Sequence, residues 1–233
     1  MLEVRDLHTH YGRAEILADV SFEIHAGQVA ALLGRNGAGK STTLKSIMRI
    51  VRPTRGEVFF AGQSISRMQS FEICRMGLGY VPEERRIFTS LTVAENLDVA
   101  RQPAREGAPA WTLDRLFALF PNLAELRAKS ANAISGGEQQ MLTVARTLMG
   151  NPRAILLDEP SEGLAPVIVE QMVETLKELK AEGVTILLSE QNLNFAGLVA
   201  DRAIIIEKGR IRYTGTMQEA LSDESIRAAY LSV

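Results

Sequence analysis

Gly34-Arg35-Asn36-Gly37-Ala38-Gly39-Lys40-Ser41 sets glycines, a lysine and a hydroxyl in the spacing G-x-x-x-x-G-K-[ST], which suits a phosphate-cradling loop. The glycines let the backbone turn tightly and aim its N–H groups inward. A helix starting near Lys40 would add its positive end. In such a loop Lys40 reaches the β- and γ-phosphates of a nucleoside triphosphate, the Ser41 hydroxyl binds Mg²⁺, and Thr42 follows within the first turn. The bland alternative is a chance glycine loop before a helix. Against it stand the apolar run Val29 to Leu33 just before the loop and the helical stretch Lys40 to Ile50 after it, with Leu44, Ile47 and Met48 at helical spacing and Pro53 as a stop. Strand, loop and helix are the context that the phosphate chemistry needs.

A second chemical pair lies far downstream. Ile155-Leu156-Leu157 is apolar enough for a central strand, and Asp158 and Glu159 emerge at its end. Ligands bind at the C-terminal ends of strands in open α/β sheets. An acid there commonly holds Mg²⁺ in phosphate-loop enzymes, and the next acid can take a proton from an attacking water. Without the phosphate loop, the same two acids would read as a surface strand end.

The third element is Ile134-Ser135-Gly136-Gly137-Glu138-Gln139-Gln140. Ser135 with Glu138 three residues on is a capping box, and Met141, Leu142, Ala145 and Leu148 continue an apolar helix face. A capping box needs no glycine pair. Gly136 and Gly137 leave bare N–H groups at a helix start, an anion site. The sheet already supplies one phosphate site, so a second on a protruding subdomain points outward, toward the nucleotide of another molecule.

The elements that position these residues follow from periodicity. Gly56 to Gly62 reads as a short strand between glycine turns. Ala154 to Leu157, Thr185 to Leu188 and Ala203 to Ile206 are apolar strands, with an amphipathic helix from Pro166 to Lys180 and a turn at Lys208-Gly209. Strands alternating with helices argue for a parallel sheet covered on both faces. Residues 101–110 are linker-like, and Trp111 to Phe120 carries apolar residues at helical period. Trp111, Leu116, Phe117 and Phe120 read as the core of a helical subdomain over about 84–150.

Bulk properties exclude several classes. The 233 residues suit one sizeable domain; hydrophobic residues make up 46% and charged residues 23%, ordinary globular values. A formal net charge of −2 gives no basic excess to advertise a nucleic-acid partner. The single cysteine, Cys74, excludes an intrachain disulfide and suits a reducing compartment. There is no signal segment, and no apolar run approaches the roughly 18 residues of a membrane span. The expectation is a chain soluble by itself, whose membrane role, if any, comes through a partner.

Taken together, these motifs resemble the ATP-binding-cassette (ABC) ATPases, in which two chains sandwich two ATP molecules. The similarity runs over essentially the whole chain. It implies an α/β P-loop NTPase fold: a mainly parallel core sheet, an N-terminal antiparallel β subdomain and an inserted α-helical subdomain. The expected layout is a single domain over 1–233, with about 1–83 and 151–233 as nucleotide-binding core.

The resemblance also implies roles. Gly34, Arg35, Asn36, Gly37, Ala38, Gly39, Lys40, Ser41 and Thr42 would bind ATP, with Tyr11 stacked on adenine. Ser135, Gly136 and Gly137, with Glu138, would contact the γ-phosphate held by the opposite subunit. Three positions depart from the common pattern: Glu83 replaces a glutamine that senses Mg²⁺ and γ-phosphate, Gln191 replaces a γ-phosphate-bonding histidine, and Ala165 replaces an aspartate in the interface segment. Metal-side groups are thus Ser41, Glu83 and Asp158, and catalytic groups Glu159, Lys40 and Gln191.

Val81-Pro82-Glu83, Arg85-Arg86-Ile87-Phe88, Leu164-Ala165-Pro166, Glu190-Gln191-Asn192 and the ending Tyr230-Leu231 resemble one branch. This is the smaller ATPase subunit of high-affinity branched-chain amino acid importers. Urea and short-chain amide importers share some of these features and remain open. So do a soluble ABC ATPase and an ATP-gated clamp, although a single cassette without a heptad run counts against the first and Glu159 against the second. The branch implies ATP and Mg²⁺, a second ABC ATPase subunit in a homo- or heterodimer, two membrane permease subunits and, indirectly, a periplasmic binding protein. It places the chain in a bacterial cytoplasm, peripheral on the inner face of the membrane, and implies no nucleic-acid partner.

Overall fold

The computed structural model describes residues 1–226 and 228; the Tyr230-Leu231 ending lies outside them. The chain opens with β1 (Leu2–Tyr11) and β2 (Ala14–Ile24), then β3 (Val29–Leu33), α1 (Lys40–Ile47), β4 (Arg55–Phe60), the short β5 (Gln63–Ser64), α2 (Ser70–Arg75) and β6 (Leu78–Val81). Four helices follow: α3 (Val93–Asp98), α4 (Leu113–Leu119), α5 (Pro121–Glu125) and α6 (Gly136–Leu148). The alternation then resumes with β7 (Ala154–Asp158), α7 (Pro166–Ala181), β8 (Thr185–Glu190), α8 (Leu193–Val199), β9 (Arg202–Glu207), β10 (Arg210–Thr216) and α9 (Met217–Ser222).

The main sheet has six strands in the order β10-β9-β3-β8-β7-β6. All neighbours are parallel except the edge pair β10–β9. A second, four-stranded antiparallel sheet runs β2-β1-β4-β5. The mainly parallel core sheet, the N-terminal β subdomain and the helices inserted between β6 and β7 agree with the expected class.

Two hydrophobic cores flank the main sheet, and strand alternation deals residues between them. Val29, Ala31 and Leu33 of β3 enter one core with Ile155, Leu157, Ile186 and Leu188, under α7, α8 and the inserted helices. Ala30 and Leu32 enter the other with Leu156, Leu187 and Ile204, where α1 lies between the two sheets. Such fully buried strands must be continuously apolar, so the first polar residues at their C-terminal ends gather on one edge.

Two expectations need correction. The helix expected to reach Ile50 ends at Ile47, because the chain turns through a left-handed Arg49 (φ 53°). The Arg49 guanidinium donates to the Ser66 carbonyl there. The helix expected from Trp111 starts at Leu113, capped by the Thr112 hydroxyl. Trp111, Leu116 and Phe120 are nonetheless buried, with Phe117 packed against the same core.

Residues 101–110 form no helix or strand, yet they are not free. Arg105 donates to the carbonyls of Asn151 (2.9 Å) and Arg75 (2.6 Å). Asn151, 3% exposed and left-handed (φ 50°), donates to Gln102 O (2.7 Å) and accepts from Trp111 N–H (2.6 Å). Composition hid this, because the partners are backbone groups. Asn151→Ala would strand both partners and put alanine in the left-handed region, without the short polar side chain that lets asparagine tolerate it. We expect a loss of about 3 kcal/mol in denaturant unfolding; an unchanged midpoint would show that the segment is not held through Asn151.

Candidate functional site

The phosphate loop is held open by strain that only glycine tolerates cheaply. Gly39, at the start of α1, has φ 111°, and a Cβ there would sit 2.8 Å from the Leu17 side chain. The loop is buttressed from behind by the turn between β9 and β10. Gly209 N–H donates to Ala38 O at 2.9 Å, and Gly209 O accepts from Ala18 N–H at 2.9 Å. A Cβ on Gly209 (φ 74°) would lie 1.9 Å from Ile16 O. Sequence reasoning saw Lys208-Gly209 only as a turn.

Lys40 is 4% exposed. Its Nζ donates to Gly34 O (2.7 Å) and Arg35 O (3.2 Å) and pairs with Glu159 Oε1 at 2.9 Å. Glu159, 6% exposed and left-handed (φ 47°), follows directly after β7. Burial pushes its carboxyl pKa up, and Lys40 offsets this only in part. Its second oxygen, Oε2, is buried and has no hydrogen-bond partner. A buried, unpaired acceptor costs free energy, and here it belongs to the group that chemistry would use as a base.

Asp158 is fully buried and is held by three hydroxyls. Oδ1 accepts from Ser41 (2.9 Å) and Ser189 (2.7 Å), and Oδ2 accepts from Tyr80 (3.1 Å). Burial and the adjacent Asp158 charge both push the Tyr80 pKa up, so the phenol stays a donor. The Ser41 hydroxyl and the Asp158 carboxylate are hard oxygen donors of the kind Mg²⁺ takes. No group of three or more His, Cys, Asp or Glu among the described residues forms an all-protein cage.

Around these groups lies a cavity of about 420 Å³. It is lined by Tyr11, Ile16, the loop residues Asn36, Gly37, Gly39, Lys40, Ser41 and Thr42, and Glu83, Glu159 and Glu162. Tyr11 is half exposed (49%) at the end of β1, its ring available to a planar ligand. Glu83, just past β6, lines this cavity and also the neighbouring one facing the inserted helices, with Arg85, Gln139 and Gln140. Partial burial, then the nearby Glu162, Asp158 and Glu84 carboxylates, raise its pKa. Arg35 is exposed and Ala38 buried; each contributes backbone rather than side chain.

Two expected groups lie elsewhere. Ser135, Gly136, Gly137 and Glu138 do not line the loop cavity. They form the start of α6 as a capping box: Ser135 N–H donates to Glu138 Oε2 (2.6 Å), and Glu138 N–H to Ser135 Oγ (3.3 Å). Glu138 is thereby occupied with its own helix, while the Arg85 guanidinium lies against Gly136. Gln191 is exposed and lines neither cavity, because the strand ends with Glu190 turned inward. Sequence reasoning missed Tyr80, Ser189, Glu190 and Ile16. Ser189 sits opposite Asp158 in the register of β7 and β8, and no local pattern reveals such a pairing.

Comparison with known proteins identifies the family and several relatives. Residues 17–162 match the family described as ABC transporter. The chain is 41% identical over 231 residues to the high-affinity branched-chain amino acid transport ATP-binding protein BraG of Pseudomonas aeruginosa, covering 99% of both chains. It is 34% identical to the lipopolysaccharide export system ATP-binding protein LptB of Haemophilus influenzae, covering 99% of this chain and 97% of the relative. Among solved structures, the ADP conformation of an ATP-binding cassette of an ABC transporter superposes with a TM-score of 0.82. It is 25% identical, over 98% of this chain and 97% of that one.

Proposed function

The chain belongs to the ABC transporter family, and from that premise we propose that it is the ATP-hydrolysing subunit that powers a membrane importer for branched-chain or other hydrophobic amino acids. The observation that carries the reading is the buried Lys40–Glu159 pair at the phosphate loop (2.9 Å) with an unpaired Glu159 oxygen. The 41% identity to BraG over 99% of both chains supports the solute class.

In this reading the loop N–H groups and Lys40 hold the ATP phosphates, and Tyr11 stacks on adenine. The triphosphate draws Lys40 away from Glu159 and frees that carboxylate. Water then adds to the γ-phosphorus, the bond to the β–γ bridging oxygen breaks, and Glu159 accepts the water's proton, leaving ADP and phosphate. Burial raises the basicity of Glu159 toward working pH, where a general base is most effective. Ser41 and Asp158, with Glu83 at the rim, would hold Mg²⁺, which when bound offsets charge on the phosphate oxygens. Ser135, Gly136 and Gly137 face away from their own loop and complete the site of a second ATPase subunit, with Gln191 as a hydrogen-bonding group at the closed interface. ATP binding closes the pair; hydrolysis and phosphate release reopen it.

No helix among the described residues is long and apolar enough to cross a membrane. We place two permease subunits against the Glu83–Leu97 region, with a periplasmic binding protein upstream and the chain peripheral on the cytoplasmic face. An export role is the second reading, favoured by the 34% identity to LptB. The test is purification of the tagged chain from native membranes in mild detergent. We expect two distinct permeases and a second ATPase, and an associated periplasmic protein that binds a hydrophobic amino acid. Export components instead would select the second reading, and an intact preparation with no membrane protein would overturn both.

A further inference from the structure

Glu190 ends β8 and is 1% exposed. Its two oxygens reach in different directions. Oε1 accepts the backbone N–H of Ser161 at 3.1 Å, and Oε2 accepts the backbone N–H of Asn192 at 3.2 Å. Ser161 lies two residues after Glu159, and Asn192 directly follows Gln191. No ion pair among the described residues includes Glu190; Lys40 is paired with Glu159. A buried carboxylate held by two N–H groups and the Ser161 hydroxyl, with no cation paired to it, is costly. An apolar residue at this strand end would leave both N–H groups unpaired.

We propose that Glu190 is a positioning residue: its carboxylate ties the Pro160–Ala165 segment to the segment after β8 and so holds Glu159 and Gln191 at a fixed spacing. The proposal rests on the ATPase reading above, in which Glu159 takes the attacking water's proton and Gln191 hydrogen-bonds at the closed interface. Only an acceptor at both ends suits this brace. An ionised carboxylate accepts with both oxygens, whereas an amide would set its NH₂ against one of the N–H donors.

The charges around the brace make it sensitive to pH. Glu159 from the end of β7 repels it, Lys40 of α1 is committed to Glu159, and on the β3 side its register partner is the apolar Leu33. Burial first, and then Glu159, push the Glu190 carboxyl up to about 7, against the pull of the Ser161 hydroxyl and, behind it, the Asn192 and Ser161 N–H groups. As pH falls below about 7 the carboxyl gains a proton, one oxygen becomes a donor, and the brace loosens.

The test is Glu190→Gln, which keeps shape and burial. Amide hydrogen exchange in the full chain should speed up about tenfold at Ser161 or Asn192. In the assembled complex kcat should fall about tenfold with KM for ATP within twofold of the parent, and the decline of kcat between pH 8 and pH 6 should flatten. If Glu190→Gln fails to fold, Glu190→Asp, which keeps the charge but is one methylene shorter, should show faster exchange at one of the same amides. Unchanged exchange at both amides overturns the brace. Faster exchange with kcat unchanged, or with KM rising as kcat falls, overturns the positioning role. A parent complex without ATPase activity would instead overturn the ATPase reading, while the exchange result on the full chain would still decide the brace.

Discussion

Glu159→Gln is expected to leave ATP binding intact and to lower steady-state turnover of the assembled complex by about 100- to 1,000-fold, ~3–4 kcal/mol in barrier. The substitution is nearly isosteric. The amide can still accept from Lys40 through its oxygen, so the loop that holds ATP keeps its shape. What it cannot do is accept a proton from water. Among the described residues Glu159 is the only carboxylate paired with Lys40, and its Oε2 is buried without a partner. Asp158 cannot take over, because its two oxygens are committed to Ser41, Ser189 and Tyr80. Equilibrium ATP binding and phosphate release measured on one preparation would separate the two effects. Turnover within threefold of the parent would remove Glu159 as the base.

Lys40→Ala is expected to weaken ATP binding on the order of 100-fold, about 2.7 kcal/mol, through loss of charge-assisted bonds to the phosphates. A second effect must be separated from this one. Lys40 and Glu159 are a buried pair with side chains 4% and 5% exposed, and removing one partner leaves the other charged and unpaired. The single variant should therefore also be less stable. Lys40→Ala combined with Glu159→Gln removes the stranded charge. It should recover most of the lost unfolding free energy and none of the ATP affinity. Recovery of affinity in the double variant would mean that Lys40 supports the fold rather than the phosphates.

The chemistry was legible wherever it is local in the chain. Eight consecutive residues, Gly34 to Ser41, carry the loop, because tight backbone turns need glycine and the lysine and hydroxyl must follow at once. The strand end Asp158-Glu159 and the capping box Ser135/Glu138 were legible for the same reason. So was the alternation of the fold, since buried parallel strands must be apolar throughout. The segment 101–110 misled because its anchors, Arg105 and Asn151, bond to backbone carbonyls and N–H groups that composition does not display.

The sequence by itself determined the phosphate loop, the class of chemistry and the order of strands and helices, all set by spacing within short windows. Only the tertiary structure decided which side chains meet across the sheet. Asp158 draws its hydroxyls from Ser41, Tyr80 and Ser189, which lie 117, 78 and 31 residues away. Glu190 joins Ser161, 29 residues earlier, to its own neighbour Asn192. These meetings depend on the register of parallel strands joined by long crossovers. Register comes from packing both faces of the sheet at once, and so leaves no trace in any one stretch of chain.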